Sequence, residues 1–506
     1  MTRLTPIPPC PGLNRVLRLA LLLTLMLAAA LSARDLTLDQ ALDIALNRTV
    51  RGEMIEGQLE VAEQLYSARR INMYLPEISI NGSVPSFRRS QAYQPYRNPL
   101  DRQPFKTRNL DFNSFIELKQ TLFSGGTLIA TADLVSEDKR YPDTRYEPLS
   151  GIFVDQNSKQ GSFSFSLEQP LFRPSSVKNE LNNRKDDLEI AKVTRLEDVG
   201  ALKKEVIEAY LGVMQQTLKA EVASKKLERA QLQEGIDSAK LADGVLSEED
   251  FLLSGAGRLD AELEKHSAET GLGEKKRDLS TLLDFDVTEP LALAPPVVTS
   301  HLDEATKARM VSGWEVAAPI QKAERQFSKA KREADYAASG HGLTGDLAAS
   351  YSFGKQRIET DRLVGEDGFS GTIDEDISTN SWTIALRFKL PLWDGGAGSA
   401  AVRAARYSAE QARYEFTRAQ RSARASIVNL INQIDVSYER LGIIRKQVEL
   451  AENRLAIARE RFADGRISQL TLLDSEVFLL ETRDRYLDEL KKYLLNRIDL
   501  ESQYLS

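Results

Sequence analysis

The stretch Trp382-Thr-Ile-Ala-Leu-Arg-Phe-Lys-Leu-Pro-Leu392 alternates between large apolar residues and small or polar ones. Successive side chains of a β-strand point to opposite faces, so this pattern predicts a strand with one apolar and one hydrated face. Arg387 and Lys389 fall on the hydrated face. The length of the stretch matches the ~9–11 residues that a tilted strand needs to cross a bilayer. The sequence therefore predicts a membrane-crossing strand here.

Three further segments alternate in a similar way. The clearest is Ser162–Phe172, and weaker examples are Glu77–Val84 and Asp346–Phe353. In Ser162–Phe172 the apolar residues Phe163, Phe165, Leu167 and Leu171 lie opposite Ser164, Ser166 and Glu168. We therefore predict several strands of the same kind along the chain.

An additional hairpin is predicted in the first half of the chain. Asn113–Leu122 and Thr127–Val135 alternate around a Gly-Gly turn. The polar stretches 86–112 and 136–161 on either side are predicted to be loops, so that an extra hairpin and loop insert covers about 86–161. The pattern does not say whether this hairpin lies within a barrel wall or above it.

An internal repeat at an offset of 221 residues organises the chain. Gln169-Pro-Leu-Phe172 resembles Leu390-Pro-Leu-Trp393, and Leu241-Ala-Asp-Gly-Val-Leu-Ser247 resembles Phe462-Ala-Asp-Gly-Arg-Ile-Ser468. One offset that holds at both ends of so long a segment indicates a duplication. We therefore predict a first repeat, a proline-containing linker and a second repeat, at residues 34–285, 286–300 and 301–506.

Long helices are predicted after the strands of each repeat. In the second repeat apolar residues recur every seven positions, which is typical of coiled-coil packing, at Ile427, Ile434, Leu441, Val448, Leu455 and Phe462. No proline interrupts Ala397–Arg461, which as a helix with a rise of 1.5 Å per residue would be roughly 100 Å long. Ser176–Lys240 of the first repeat has the same extent and a poorer stripe. No compact globular core needs helices of this length.

Matched turns end the two long helices. Gly244 and Gly465 stand where a helix C-cap favours positive φ. Ser247 and Ser468, three residues later, can N-cap the returning helices. Each repeat is therefore predicted to be an antiparallel helical hairpin that extends from β-structure.

The N-terminus has the pattern of a secretory signal peptide, predicted to be residues 1–33. Three arginines precede an uncharged apolar run, Leu19–Leu31, which ends in small residues. The run is shorter than the ~20 residues of a membrane-spanning helix, although an uncleaved anchor is the alternative. Cys10 is the only cysteine, so cleavage would leave a chain without thiols, which suits an oxidising compartment outside the cytoplasm.

Composition excludes several functions. The 74 acidic residues exceed the 67 basic ones, which argues against nucleic-acid binding. We expect no metal site, because the sequence has a single cysteine and three scattered histidines. We also find no pairing of a nucleophile with a base that would indicate catalysis. We therefore expect neither a cofactor nor an enzyme. The mean hydropathy of -0.35 excludes a polytopic helical membrane protein.

This organisation resembles the TolC-type outer membrane efflux protein family. The resemblance is carried by Leu36–Leu46, by the strand ends Gln169–Phe172 and Leu390–Gly396, and by the Asp-Gly-x-x-Ser turns. It implies a mixed α/β membrane protein, a homotrimer with one β-barrel in the outer membrane and a long α-helical coiled-coil tunnel across the periplasm. It also implies a periplasmic adaptor (membrane fusion) protein and an inner-membrane transporter as partners. The predicted insert puts the family's usual count of four strands per chain in doubt.

The resemblance implies site residues as well. The helix tips that would contact the adaptor are Asp243, Gly244, Ser247, Asp464, Gly465 and Ser468. Counted from the turn glycine, Asp474 matches an acidic residue that constricts the periplasmic entrance, Thr471 occupies a second such position, and Asp250 is a further candidate. A ring of three Asp474 carboxylates would repel anions and concentrate cations. The alternative for the tip residues is that they only form the helix turns. The alternative for Asp474 is an ordinary solvated aspartate on a helix face.

Aromatic residues lie at three predicted strand ends. Phe172, Trp382 and Trp393 are placed where aromatic side chains mark the interface between membrane and water. Core packing is the alternative explanation.

Three functions are consistent with parts of the pattern. The favoured one is an outer-membrane channel-tunnel that passively conducts substrates in a tripartite efflux or type I secretion system. The second is a periplasmic coiled-coil adaptor or structural protein without a membrane barrel. The third is a secreted enzyme. An adaptor would have one hairpin and no repeated lipid-type strand, and an enzyme would have a convergent polar site.

Overall fold

The computed structural model describes residues 36–96, 98–142, 153–286, 292–296, 301–363 and 371–504. The predicted signal peptide lies outside these residues. The helices are α1 (Leu38–Asn47), α2 (Val50–Tyr74), α3 (Ser176–Ala242), α4 (Glu248–Leu282), α5 (Glu304–Ser312), α6 (Ala318–Gly340), α7 (Ala397–Ala463) and α8 (Gln469–Tyr504). The strands are β1 (Glu77–Tyr96), β2 (Asn98–Thr121), β3 (Thr127–Pro142), β4 (Phe153–Leu171), β5 (Thr344–Leu363) and β6 (Gly371–Lys389).

The described residues divide into two compact units. We call the first the helical unit; it lies within Met1–Gln58, Lys192–Gln321 and Ala419–Ser506. We call the second the sheet unit; it lies within Leu59–Ala191 and Lys322–Arg418. The helical unit holds both helix turns, and the sheet unit holds all six strands.

The sheet unit contains one antiparallel sheet in the strand order β1-β2-β3-β4-β5-β6. The predicted extra hairpin therefore lies within the sheet, where β2 and β3 pair with each other and with their neighbours. Four of the six strands precede α3 in the chain, and the other two lie between α6 and α7. In the described residues β1 and β6 are the two edges of this sheet.

The prediction of loops at 86–112 and 136–161 is wrong for most of these residues. They belong to the outer parts of β1, β2, β3 and β4, which are 20, 24, 16 and 19 residues long. Apolar alternation identifies a strand only where one face is buried or faces lipid. These outer parts are mostly polar on both faces, with only scattered apolar residues such as Phe87 and Leu110, so no regular alternation marks them although the strands continue. A bulge between Ser83 and Ser86 adds one residue to β1.

One face of the sheet is apolar over part of its length. Cross-strand partners share a face, and Trp382 lies opposite Tyr351, which lies opposite Phe165. We call the apolar residues on this side the apolar belt: Ile78, Ile80, Ile116, Leu118, Phe163, Phe165, Tyr351, Phe353, Trp382, Ile384, Leu386 and Phe388. Their side chains in β6 are 58–74% exposed. The other face is polar and includes Arg387, so the predicted two-faced strand is confirmed.

The prediction that Trp382 lies at a strand end is wrong, because β6 begins at Gly371, well before Trp382. Trp382 lies within the strand, beside the polar outer part that contains Asn380. Phe172 directly follows β4, and Trp393 follows β6 by a few residues. The aromatic residues thus lie at both limits of the apolar belt.

The helical unit is built around a continuous apolar core. The predicted stripe of α7 is confirmed, since Ile427, Ile434, Leu441 and Leu455 are buried, whereas Phe462 at its end is exposed. Burial of such side chains stabilises the fold by about 1.5–3 kcal/mol each. Among the described helices, none is both long and apolar enough to cross a bilayer.

The start of the helical unit is fixed by local hydrogen bonds. Thr37 and Gln40 form a capping box at α1, with distances of 3.3 and 3.1 Å. The main chain of Leu36 pairs with Ala292 and Ala294, within the predicted linker. The buried Tyr210 hydroxyl donates to the carbonyl oxygens of this pair of segments, at 2.7 Å from Leu36 and 2.6 Å from Ala294. These bonds order part of the predicted linker against the start of the chain's helical unit.

Candidate functional site at the two helix turns

The first turn joins α3 to α4 and has the conformation that the sequence predicts. Gly244 has a φ of 70°, a left-handed value that side chains with a Cβ rarely adopt. Its amide donates to the carbonyl oxygen of Leu241 at 3.0 Å. Ser247 caps α4 by accepting from the amide of Asp250 at 3.1 Å. A local glycine and a local serine thus reverse the chain.

The second turn, between α7 and α8, repeats this geometry. Gly465 has a φ of 73°, and its amide donates to Phe462 at 2.9 Å. Ser468 accepts from the amide of Thr471 at 3.3 Å and caps α8. Both turns are exposed, apart from a half-buried apolar residue just before each capping serine, Leu246 and Ile467.

The two turns differ in charge. The first is followed by Glu248, Glu249 and Asp250, which favourably face the positive end of the α4 dipole. The second has no acidic residue in the first turn of α8, and it carries Arg466, whose guanidinium is 3.6 Å from the Asp464 carboxylate. The two tips therefore have the same backbone conformation, although the first is acidic and the second is nearly neutral.

Asp250 and Thr471 occupy equivalent capping positions. The Asp250 carboxylate accepts a hydrogen bond from the Ser247 hydroxyl at 2.6 Å. The Thr471 hydroxyl lies 3.0 Å from that of Ser468. Both side chains are exposed and engaged with their own turn, so each has a local structural role. Their assignment to a constriction stays a prediction.

Asp474 lies one turn further along α8. Its carboxylate is 3.2 Å from the guanidinium of Arg229 on α3, and both side chains are about half exposed. The exposed pair links the two hairpins of the helical unit. Because Arg229 balances its charge, Asp474 presents less net negative charge than an isolated carboxylate would.

Glu476 is a neighbouring residue that sequence reasoning missed. Its carboxylate is 3.0 Å from Lys225 of α3 and 3.3 Å from Arg459 of α7, and the side chain is 19% exposed. Burial acts to raise the pKa of Glu476, but the hydrogen bonds from Lys225 and Arg459 outweigh it and bring the pKa below its usual value. One signal in the sequence could have indicated an acidic partner here: Lys225 and Arg229 are four residues apart and therefore lie on one face of α3.

Within the described ranges, no group of three or more potential ligands could hold a metal ion. His266 lies near Glu269 and His301 near Asp435, at 3.8 and 3.7 Å. The second contact is part of a small charge cluster, because the Asp435 carboxylate also pairs with Lys307 at 2.7 Å.

Comparison with known proteins gives partial sequence matches. Residues 315–503 match the family described as "Outer membrane efflux protein". The outer membrane protein TolC of Escherichia coli (strain K12) is 23% identical over 208 residues, which is 41% of this chain and 40% of TolC. The alignment thus spans less than half the length of this curated relative.

Solved structures share the fold over most of the chain. The Campylobacter jejuni CmeC outer membrane channel is similar with a TM-score of 0.57 and 11% identity, covering 92% of this chain and 84% of CmeC. The open state of the Neisseria gonorrhoeae MtrE outer membrane channel gives a TM-score of 0.55 and 17% identity, covering 92% and 88%. The sequence matches confirm the predicted resemblance to this family, and the solved structures show that the chain shares their fold.

Proposed function

We propose that this relative of the TolC-type outer membrane efflux proteins is the outer-membrane channel-tunnel of a tripartite export system. It works as a homotrimer, passively conducting substrates delivered by an inner-membrane transporter and a periplasmic adaptor. Efflux and type I secretion both fit this role.

The observation that carries the proposal is the two-faced sheet. Its apolar belt is exposed in the single chain, and Trp382 and Phe388 are 73% and 74% exposed. An apolar surface of this extent is unstable in water but favourable against lipid. The opposite face is polar, with hydroxyl contacts such as Thr131 to Ser164 at 2.6 Å. A wall between lipid and a water-filled lumen needs these two faces.

The open edges of the sheet support oligomerisation. Strands β1 and β6 leave their outer backbone groups unpaired within the described chain. Unpaired edges are not tolerated in lipid, so neighbouring copies must supply the missing hydrogen bonds. Six strands from each of three copies give a wall of eighteen strands, instead of the twelve expected from four per chain.

The aromatic residues fit this arrangement. Trp382 lies at one limit of the apolar belt, and Phe172 and Trp393 lie at the other. Trp382 and Trp393 are eleven residues apart, and an extended chain of this length would span roughly 28 Å at a tilt of ~40°, close to the apolar band of outer-membrane barrels. We propose that these residues mark the two membrane interfaces.

The helix turns are the proposed contact with the adaptor. The tip residues Asp243, Gly244, Ser247, Asp464, Gly465 and Ser468 are all exposed. Their backbone is fixed by hydrogen bonds within each turn, so they present a preorganised surface. Such a surface costs little conformational entropy when a partner binds.

Asp474 is the proposed pore constriction, with Thr471 and Asp250 as lesser contributors. Three copies of Asp474 around an axis would form an acidic ring. The Arg229 contact at 3.2 Å would hold that ring in place and limit its charge.

Fractionation and conductance test the function. The mature chain should remain with the outer membrane after carbonate washing, require detergent for extraction and give discrete conductance steps in planar bilayers. Recovery as a soluble periplasmic protein would favour the alternative, a coiled-coil adaptor or structural protein without a barrel.

A further inference from the structure

The two edge strands of the sheet carry opposite charges in their outer halves, which are the ends beyond the apolar belt. We call Arg88 and Arg89 of β1 the basic edge, and Asp374, Glu375 and Asp376 of β6 the acidic edge. All five side chains are exposed. One edge of the sheet is therefore cationic and the other anionic at the same end of the strands.

The basic edge lacks anions within the described part of its own chain. Arg89 lies directly opposite Arg108 of β2, which lies opposite Arg140 of β3. Like charges in directly opposed positions destabilise a sheet. Arg140 has Asp155 at 3.5 Å, but among the described residues Arg89 and Arg108 have no carboxylate partner. An anion from outside the chain would relieve this repulsion.

The acidic edge has the converse imbalance. Arg357 of β5 lies opposite Asp376, yet its guanidinium donates to Asp374 at 2.9 Å. Glu375 and Asp376 have no ion pair with any described residue. A cation from outside the chain would stabilise this end of β6.

We propose that the basic edge of one copy binds the acidic edge of the next copy in the trimer. This inference rests on the proposed function, because it needs neighbouring copies to meet edge to edge. The six strands alternate in direction, so β1 and β6 run antiparallel and can pair across copies as they do within the sheet. Around a threefold axis, every basic edge then meets an acidic edge.

The apolar belt limits the register of this pairing. Three registers place Ile78 and Ile80 of one copy opposite apolar residues of β6 in the next, and one of them pairs Ile80 with Ile384. Counting outward from that pair, and allowing for the extra residue of the β1 bulge, brings Arg89 opposite Asp376 on the same face. Of the registers that satisfy the lipid-facing residues, we therefore propose this one, because it also pairs the unmatched charges.

A second contact follows on the other face. In the same register Arg88 and Glu375 lie diagonally across the junction. Diagonal neighbours are ~7–8 Å apart, which long side chains can bridge. Each junction therefore has two ion pairs, and a trimer has six.

Cysteine pairs test the register. The only natural cysteine, Cys10, lies in the predicted signal peptide. The outer pair Phe87→Cys with Ser378→Cys is opposed in the proposed register and leaves all the charges intact. The belt pair Ile80→Cys with Ile384→Cys reports edge pairing alone. Both should give disulfide-linked trimers, because opposed residues in a sheet lie within the range of disulfide Cα distances.

A shifted pair, Phe87→Cys with Asn380→Cys, is the matched control. It moves one partner by two residues along the same face, so its linked fraction should be several-fold lower. A shifted pair that links as well as the outer pair would overturn the register.

Charge reversal tests the attraction, with the outer cysteine pair as the reporter. Arg88→Glu with Arg89→Glu should lower the linked fraction at least about fivefold in low salt. Adding Glu375→Arg and Asp376→Arg should restore it, because the charges are then exchanged across the junction. High salt should reduce both effects, since these pairs are exposed.

The outcomes separate the two claims. If the belt pair forms a disulfide and charge reversal has no effect, the proposed charge pairing is wrong, but edge-to-edge assembly into a trimer is still supported. If the exchanged variant is not restored, the arginines bind another anion, such as a lipid phosphate, and the proposal is overturned. If no pair links, edge-to-edge assembly itself fails, and the proposed function with it.

Discussion

The two helix turns have the same backbone conformation but differ in the charge of the side chains around them. Gly244 and Gly465 have φ values within a few degrees of each other, and Ser247 and Ser468 cap in the same way. The first turn is surrounded by acidic side chains, whereas the second is nearly neutral. The comparison teaches that glycine and serine encode the reversal of the chain, while the neighbouring residues are free to specialise.

The difference continues along the returning helices. At the 221-residue offset, Asp474 of α8 corresponds to Leu253 of α4, and Glu476 corresponds to Gly255. Leu253 is 65% exposed and has no charge to offer. The first hairpin thus carries its acidic residues at the cap, and the second carries them one to two turns deeper. The predictions below test whether this division is functional.

The largest effect is expected from valine at the turn glycines. Gly465→Val and Gly244→Val each force a β-branched residue into left-handed backbone, at a cost of about 1–2 kcal/mol or more. Gly465→Val should impair export by cells that carry the intact assembly, measured as substrate accumulation, while membrane insertion stays normal. Because the strain is equal in both turns, unequal export defects would show which tip matters more.

Gly257→Ala is the control for these variants, since it lies in a helix with open space around the added Cβ. It should export normally. Normal export by both valine variants would show that the turns have only a structural role.

The next effect concerns conductance through the proposed constriction. Asp474→Ala should raise single-channel conductance or weaken block by multivalent cations, because three carboxylates are removed from the ring. Arg229→Ala should strengthen that block, because it frees the same carboxylates from their ion pairs. Glu460→Ala removes an exposed carboxylate elsewhere on α7 and should change neither property. Unchanged block in both test variants would contradict the constriction.

A pH effect is expected at Glu476, which has no counterpart in the first hairpin. Its pKa is lowered in the folded protein, so its ion pairs stabilise at neutral pH. This stabilisation is lost as pH falls from the ordinary glutamate value of ~4.3 through the folded pKa. Thermal unfolding followed by circular dichroism should show an acid-dependent loss that Glu476→Gln removes. An identical pH profile in the variant would show that the ion pairs contribute nothing measurable.

The smallest effect is expected from the caps. Ser247→Ala and Ser468→Ala should each destabilise by about 1 kcal/mol, seen as a small drop in the melting temperature. The two losses should be similar, because each serine accepts one amide hydrogen bond. A much larger loss at one turn would show that its serine also serves a contact between chains.

The helices and turns were predictable because their signals are local. The seven-residue spacing from Ile427 to Leu455 reports packing directly, and glycine followed by serine reports the turns. Strand boundaries were less accessible. The outer parts of β1 and β2 have polar residues on both faces, so the alternation that revealed β6 is absent although the backbone pairing continues.

The site was predictable only in part. Counting from Gly465 identified Asp474, but the sequence could not show Arg229 opposite it, because that contact joins residues far apart in the chain. The same holds for Glu476 and Lys225. Which charges of α3 face those of α8 depends on helix rotation, which sequence spacing alone does not determine.

Electron cryo-microscopy of the mature protein in lipid nanodiscs tests the central claim most directly. The account predicts a threefold particle in which eighteen strands form a closed wall within the disc. A single chain, or a sheet lying outside the lipid, would contradict it.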